Sequence, residues 1–144
     1  MYDNPYILTG IRLLKVVFII NPDFDLEANS IPGQGISMSV KLINSLSFNS
    51  DRNLAHFVQS LSTHRVPTGP FTLEVEYEAI FALDSSTSLE QEDTLRMQFA
   101  KMVFPYCSEF IAEITRRGGF PPMILNLSSC MGGQNLQYKP MATH

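Results

Sequence analysis

The stretch from Phe71 to Leu83 constrains the fold more than any other part of the chain. Phe71, Leu73, Val75, Tyr77, Ala79, Phe81 and Leu83 share one face of an extended segment, and Thr72, Glu74, Glu76 and Glu78 share the other. Apolar and polar side chains alternating with a period of two, with aromatic and β-branched residues among them, predict a half-buried antiparallel strand.

Two more strands lead into it. Ile36 to Phe48 alternates through Ile36, Met38, Val40, Leu42, Asn44, Leu46 and Phe48, and Ser50-Asp51-Arg52-Asn53 then reads as a turn. Leu54 to Arg65 is a less regular strand, closed by the loop Val66-Pro67-Thr68-Gly69-Pro70. Consecutive strands with short connections favour an antiparallel meander. An earlier strand, about Ile11 to Ile20, is apolar on both faces. Strict alternation puts Ile11, Leu13, Val17 and Ile19 on one side and Leu14, Val16, Phe18 and Ile20 on the other. Such a strand needs cover on both sides, from its own domain, a partner subunit or a ligand. The long loop from Asn21 to Gly35 carries Phe24, Leu26 and Ile31, and loops of that length are often functional.

After the sheet the period changes. A helix is expected from near Leu89, with Ser88 as N-cap and Gln91 as its capping-box partner. Leu95, Phe99, Met102 and Val103 hold the helical spacing, and Tyr106, Cys107, Phe110, Ile111 and Ile114 continue it beyond Pro105. The proline must therefore kink one long helix or begin a second. Arg116 and Arg117 complement a helix C-terminus, and Gly118-Gly119 ends it before Phe120-Pro121-Pro122. The expected class is α+β, a four-stranded antiparallel, meander-like sheet followed by one long helix. A single domain over 1–144 divides into sheet (about 11–83), helix (about 89–117), exit loop (118–127) and a loose tail (128–144).

Composition excludes several functions. A formal charge of −4 with only ten basic residues argues against nucleic acid, since phosphate binding needs clustered Lys and Arg. The longest apolar run, Val16 to Ile20, falls far short of the ~20 residues a spanning helix needs, so no integral membrane segment is expected. Asn21-Pro22-Asp23 after that run lacks a signal-peptide cleavage pattern. Cys107 and Cys130 read as free thiols of a reducing compartment, which makes the cytoplasm the default.

No catalytic constellation is visible. His56 and His64 would lie roughly 26 Å apart on an extended strand at ~3.3 Å per residue, too far to share a metal. Glu74, Glu76 and Glu78 point in parallel to solvent, without the burial that tunes an acid catalyst. Cys107 keeps the apolar helix spacing, and neither Gly118-Gly119 nor Gly132-Gly133 fits a phosphate loop. An enzyme, a metal and a cofactor are not expected.

The segment Met102-Val103-Phe104-Pro105-Tyr106-Cys107-Ser108-Glu109-Phe110-Ile111 is followed by Arg117-Gly118-Gly119-Phe120-Pro121-Pro122 and by Leu125-Asn126-Leu127. In order and spacing these resemble the "LFPYARE", "RGxFP" and "LNL" runs of the SecB family, and Glu74-Val75 with Ile80 to Leu83 resembles its last strand. The resemblance implies a chaperone that holds unfolded polypeptides or preproteins. It also implies a homotetramer, a dimer of dimers in which paired sheets sandwich the long helices.

On that basis Phe24, Leu26, Ile31, Phe120, Met123 and Leu125 are the candidate client-binding residues. Phe99, Val103, Tyr106, Phe110 and Ile114 are candidates for the oligomer face of the helix. Glu74 and Glu76 are candidates for docking the export motor SecA, which the family contacts through acidic residues on the outer sheet face. The chain departs from the pattern at Val17 and Asn21, where acidic side chains are expected, and at Ser108, where the family has Arg. The family's "PVNF" segment and the helix after it are also absent. Three readings follow: an export chaperone, a chaperone dedicated to one partner such as an antitoxin, and a non-catalytic adaptor that keeps the fold.

Overall fold

A computed structural model of the chain describes residues 6–25, 28, 35–63, 69–84, 91–132 and 136–138. Strand β1 covers Tyr6–Ile20, β2 Ile36–Met38, β3 Val40–Phe48, β4 Leu54–Thr63 and β5 Phe71–Leu83. Helix α1 runs from Glu92 to Arg117, a short α2 from Leu127 to Met131, and β6 from Leu136 to Tyr138. The class is the expected one, α+β with a four-stranded antiparallel sheet and a long helix.

The sheet order is β1-β5-β4-β3. Strands β3 to β5 form the expected meander, and β1 closes against the last strand of it. The β5 bounds are those its alternation predicts, and its odd-numbered residues face the helix, nearly all fully buried. The expected strand from Ile36 to Phe48 breaks at Ser39. Its first three residues leave the main sheet and pair with β6, Ile36 opposite Tyr138 and Met38 opposite Leu136. The tail expected to be loose thus contributes both α2 and β6.

Strict alternation fails in β1. Register shifts fall between Leu8 and Gly10 and between Leu13 and Lys15, as β-bulges, each inserting one residue. Thr9 at the first donates its hydroxyl to the Ile80 carbonyl at 3.0 Å. Leu14 is the extra residue at the second. Consequently Leu13 stands opposite Tyr77, Val16 opposite Val75 and Phe18 opposite Leu73, all on the helix side. Arg12, Val17 and Ile19 pair with Glu78, Glu74 and Thr72 on the outer side. The grouping of Leu13 with Val17 and Ile19 is therefore corrected, because a bulge flips every side chain beyond it to the other face.

Helix α1 packs chiefly on β4, β5 and β3. It passes through Pro105 as a single helix. Lys101 and Pro105 are both exposed, so water can take the carbonyl that the missing proline N–H leaves without a partner. Gln91 is the N-cap residue rather than a capping-box partner, and its side chain makes no capping bond. Ser88 and Leu89, where the start was expected, lie outside the described residues, as do His64 and Arg65.

Buried residues at every fourth position, Leu95, Phe99, Val103, Cys107 and Ile111, lie against the sheet in two clusters. One gathers Phe57, Phe81, Phe99 and Val103, with the Phe81 and Phe99 rings stacked at 3.9 Å and 10°. The other gathers Leu61, Leu73, Phe104, Ile111 and Met123 with Tyr138. Each such side chain is worth ~1.5–3 kcal/mol on burial.

The helix ends as a Schellman motif. The Phe120 amide donates to the Thr115 carbonyl at 3.0 Å, and the Gly119 amide to the Arg116 carbonyl at 3.1 Å. Gly119 takes the left-handed conformation this needs, φ +88°. Gly118 has a different reason: a Cβ there would lie 2.5 Å from the Phe18 ring.

Candidate functional site

The Schellman turn sends the chain back along the helix as the exit loop. Thr115, fully buried, donates its hydroxyl to the Ile111 carbonyl at 2.8 Å and accepts the Met123 amide at 2.9 Å. Phe120 packs edge-on against Phe71 at 5.1 Å and Phe18 at 6.3 Å. Asn126 caps α2, its side chain accepting from the Ser128 and Ser129 amides. Cys130 of α2 joins Cys107 in the core; both thiols are free. Burial pushes the Cys107 thiol up to about 12 and raises Cys130 as well, so neither is a ready nucleophile.

Beside this loop the helix and sheet leave a cleft of about 550 Å3, lined by Tyr77, Tyr106, Phe110, Glu113 and Pro122. Tyr77 meets Phe110 edge-on at 6.3 Å. Its phenol is raised by burial and then by its neighbours Cys107 and Glu109. Leu13 and Val16 of β1, on the same side of the sheet, stay 38% and 37% exposed because α1 lies mainly over the other three strands. Met97, Met102 and Tyr106 are exposed along the helix, and Ile124, on the exit loop, is 71% exposed. Methionine and aromatic side chains on open surface can repack around partners of varied shape.

The residues singled out from sequence divide accordingly. Phe120 and Leu125 are half-buried against the core, and Phe24 is half-buried just after β1. Leu26 and Ile31 lie outside the described residues. Met123 is fully buried and is withdrawn as a contact residue, because the hydrogen bond its backbone N–H donates to the Thr115 hydroxyl turns it inward. Ile124 takes the outward place. Three successive apolar residues in a loop cannot all face one core, and that was the signal for it. Phe99 and Val103 are likewise fully buried against their own sheet, so they are corrected from oligomer-face to core residues. Tyr106 is 45% exposed, while Phe110 and Ile114 are half-buried. Met102, expected on the packed face, is exposed.

On the outer face the acidic row is met by bases. Glu74 binds Lys15 at 2.8 Å. Glu78 binds Arg12 at 2.7 Å and His56 at 2.8 Å. Hydrogen bonds from His56 and then Arg12 hold the Glu78 carboxyl below its usual range. Glu76 stands opposite Lys15 in the register. Among the described residues no His, Cys, Asp or Glu are grouped so as to hold a metal, and no helix is long and apolar enough to cross a membrane.

A family model described as preprotein translocase subunit SecB matches residues 36–128, well over half of the chain. The chain belongs to the SecB family. The protein-export protein SecB of Hyphomonas neptunium is 32% identical over 72 residues, which are 50% of this chain and 43% of that protein. Its namesake from Dinoroseobacter shibae is 34% identical over 56 residues, 39% of this chain and 33% of that protein. The Wolbachia pipientis SecB is 37% identical over 59 residues, 39% of this chain and 35% of that protein. The matched stretches thus span less than half the length of these relatives. Among solved structures the fold is similar to the Mycobacterium tuberculosis SecB-like chaperone Rv1957 in complex with a ChAD peptide from the Rv1956 HigA1 antitoxin. The TM-score is 0.65 at 17% identity, covering 85% of this chain and 88% of that one. The SecB match includes the exit loop and most of the sheet.

Proposed function

We propose that this SecB-family chain is a holdase chaperone, binding non-native polypeptides on the open apolar surface beside α1 and the exit loop. The observation that carries the reading is that surface itself: Met97, Met102 and Ile124 stand exposed along the helix and the exit loop. Apolar patches of this kind on a small domain mark a binding surface. Phe24, Phe120 and Leu125 border it as client contacts, and Leu26 and Ile31 belong to the same assignment. Tyr106, Phe110 and Ile114 with the inner side of β1 form the assembly face of a dimer of dimers. The role involves no catalytic step, and its place is the cytoplasm.

A second reading, service to one dedicated partner in place of delivery to SecA, is favoured by the outer face. Arg12 and Lys15 pair with Glu78 and Glu74 of the acidic row, which weakens its attraction for a basic docking surface. The Rv1957 chaperone, with its antitoxin peptide, supports the same direction. The test of the main reading is light scattering from an unfolded, aggregation-prone protein. Suppression at stoichiometric amounts is expected, and unchanged scattering would remove the holdase assignment. Capture from host lysate separates the two roles: SecA with many precursors marks export, and one dominant small client marks a dedicated chaperone.

A further inference from the structure

The buried ridge of α1 does not by itself define one seat on the sheet. Leu95, Phe99, Val103, Cys107 and Ile111 repeat every fourth residue against an inner sheet surface that is mostly apolar. A slide of one helical turn, ~5.4 Å, lays each of them where its neighbour was, apolar on apolar. Hydrophobic burial separates such seats weakly, because it has no direction. Coiled coils meet the same ambiguity, and one buried polar residue resolves it at a cost in stability.

A polar row crosses this core. Asn44 of β3 stands opposite Gln59 of β4, and Gln59 opposite Tyr77 of β5. The row divides the two buried clusters, with Phe57 and Ala79 in one and Leu61 and Val75 in the other. Gln59 is fully buried. Its Nε2 donates to Asn44 Oδ1 at 3.0 Å and to the Ala100 carbonyl of α1 at 3.4 Å. Its Oε1 has no hydrogen-bond partner among the described residues. A buried acceptor without a donor costs stability, so packing alone would favour an apolar residue at this position. The contact also depends on the small side chain of Ala100. One turn to either side stand Arg96 and Phe104, whose bulk would hold the amide away from the backbone. We infer that Gln59 is a positioning residue: its bond to the Ala100 carbonyl keys α1 to one seat on the sheet. That seat sets where Met97, Met102 and Tyr106 stand on the client surface. The consequence for clients rests on the holdase reading; the seat of the helix does not.

The test is Gln59→Met, which keeps the volume and removes the amide. It strands no partner: the Ala100 carbonyl keeps its bond within α1, and Asn44 is only half-buried and reaches water. The urea midpoint should therefore stay level or rise. Spin labels on Thr94→Cys of α1 and Ser45→Cys of β3, both exposed positions, report the seat as a distance between electron spins. Labelled chains are diluted among unlabelled ones, and native Cys107 and Cys130 are buried away from the label. With Gln59 present the labels should give one narrow distance, and Gln59→Met should broaden or split it. Binding of fluorescent, reduced and carboxymethylated α-lactalbumin, followed by anisotropy, should weaken severalfold. An unchanged distance distribution in Gln59→Met overturns the inference and leaves the holdase standing. A lower urea midpoint also overturns it, because Gln59 would then be an ordinary stabilising residue. No binding by the wild-type chain overturns the holdase reading, while the spin distances still decide the seat.

Discussion

The Met123 amide donates to the Thr115 hydroxyl at 2.9 Å, joining residues eight positions apart where both are fully buried. That bond fixes the return of the exit loop along α1 and decides that Met123 points in and Ile124 out. Thr115→Val keeps the shape and removes the acceptor, stranding a buried N–H. Urea unfolding should show a loss of about 1–3 kcal/mol, and an unchanged midpoint would mean the loop is held elsewhere.

The paired glycines that end the helix should fail for different reasons. Gly118→Ala places a methyl 2.5 Å from Phe18, and overpacking of that kind costs about 1–3 kcal/mol. Adding Phe18→Leu should recover much of the loss. Gly119→Ala meets nothing within 4 Å but must hold φ +88°, at a cost of about 1–2 kcal/mol. Phe18→Leu should not rescue it. Thermal or urea denaturation of the four variants checks the pattern.

The strand β5 and helix α1 were legible in the sequence because one period governs each throughout. The bulges of β1 were not, because a strand apolar on both faces, such as Leu13-Leu14-Lys15-Val16, carries no phase to betray a slip. Nor was β6, three residues long and held through the single anchor Tyr138. In the candidate site, Tyr106 and Phe120 were legible from the helix and its exit. Met123 and Ile124 exchanged roles because a loop has no periodicity and only the bond to Thr115 sets its facing. The offset of the acidic row by Arg12 and Lys15 depends on cross-strand register, which the bulges shift.

Acid should weaken the fold in a definite window. Glu78 is lowered by His56 and Arg12, and Glu113 by Arg116 and Arg117, both from an ordinary 4.5. A lowered folded-state value means that these carboxylates stabilise the protein above about pH 4.5 and that the contribution is lost as pH falls through their lowered values. Urea midpoints measured from pH 7 to pH 3 should decline less steeply for Glu78→Gln than for wild type. Parallel slopes would show that the ion pairs contribute nothing.

Exposed side chains of β1 predict assembly. Leu13 and Val16 lie open on the helix side, and Ile19 is 62% exposed on the other. Light scattering after gel filtration should give an assembly larger than the 16.2 kDa chain. Leu13→Asp with Val16→Asp should shift it toward smaller species with its circular dichroism unchanged. A wild-type monomer would contradict the assembly face.

The open apolar surface should distinguish unfolded from folded polypeptide. Isothermal titration against one protein in two forms, native and reduced with its thiols blocked, asks this directly. Binding of the unfolded form at micromolar affinity or tighter is expected, with a negative heat-capacity change from apolar burial and no heat from the native form. Equal affinity for both forms, or none for either, would contradict it.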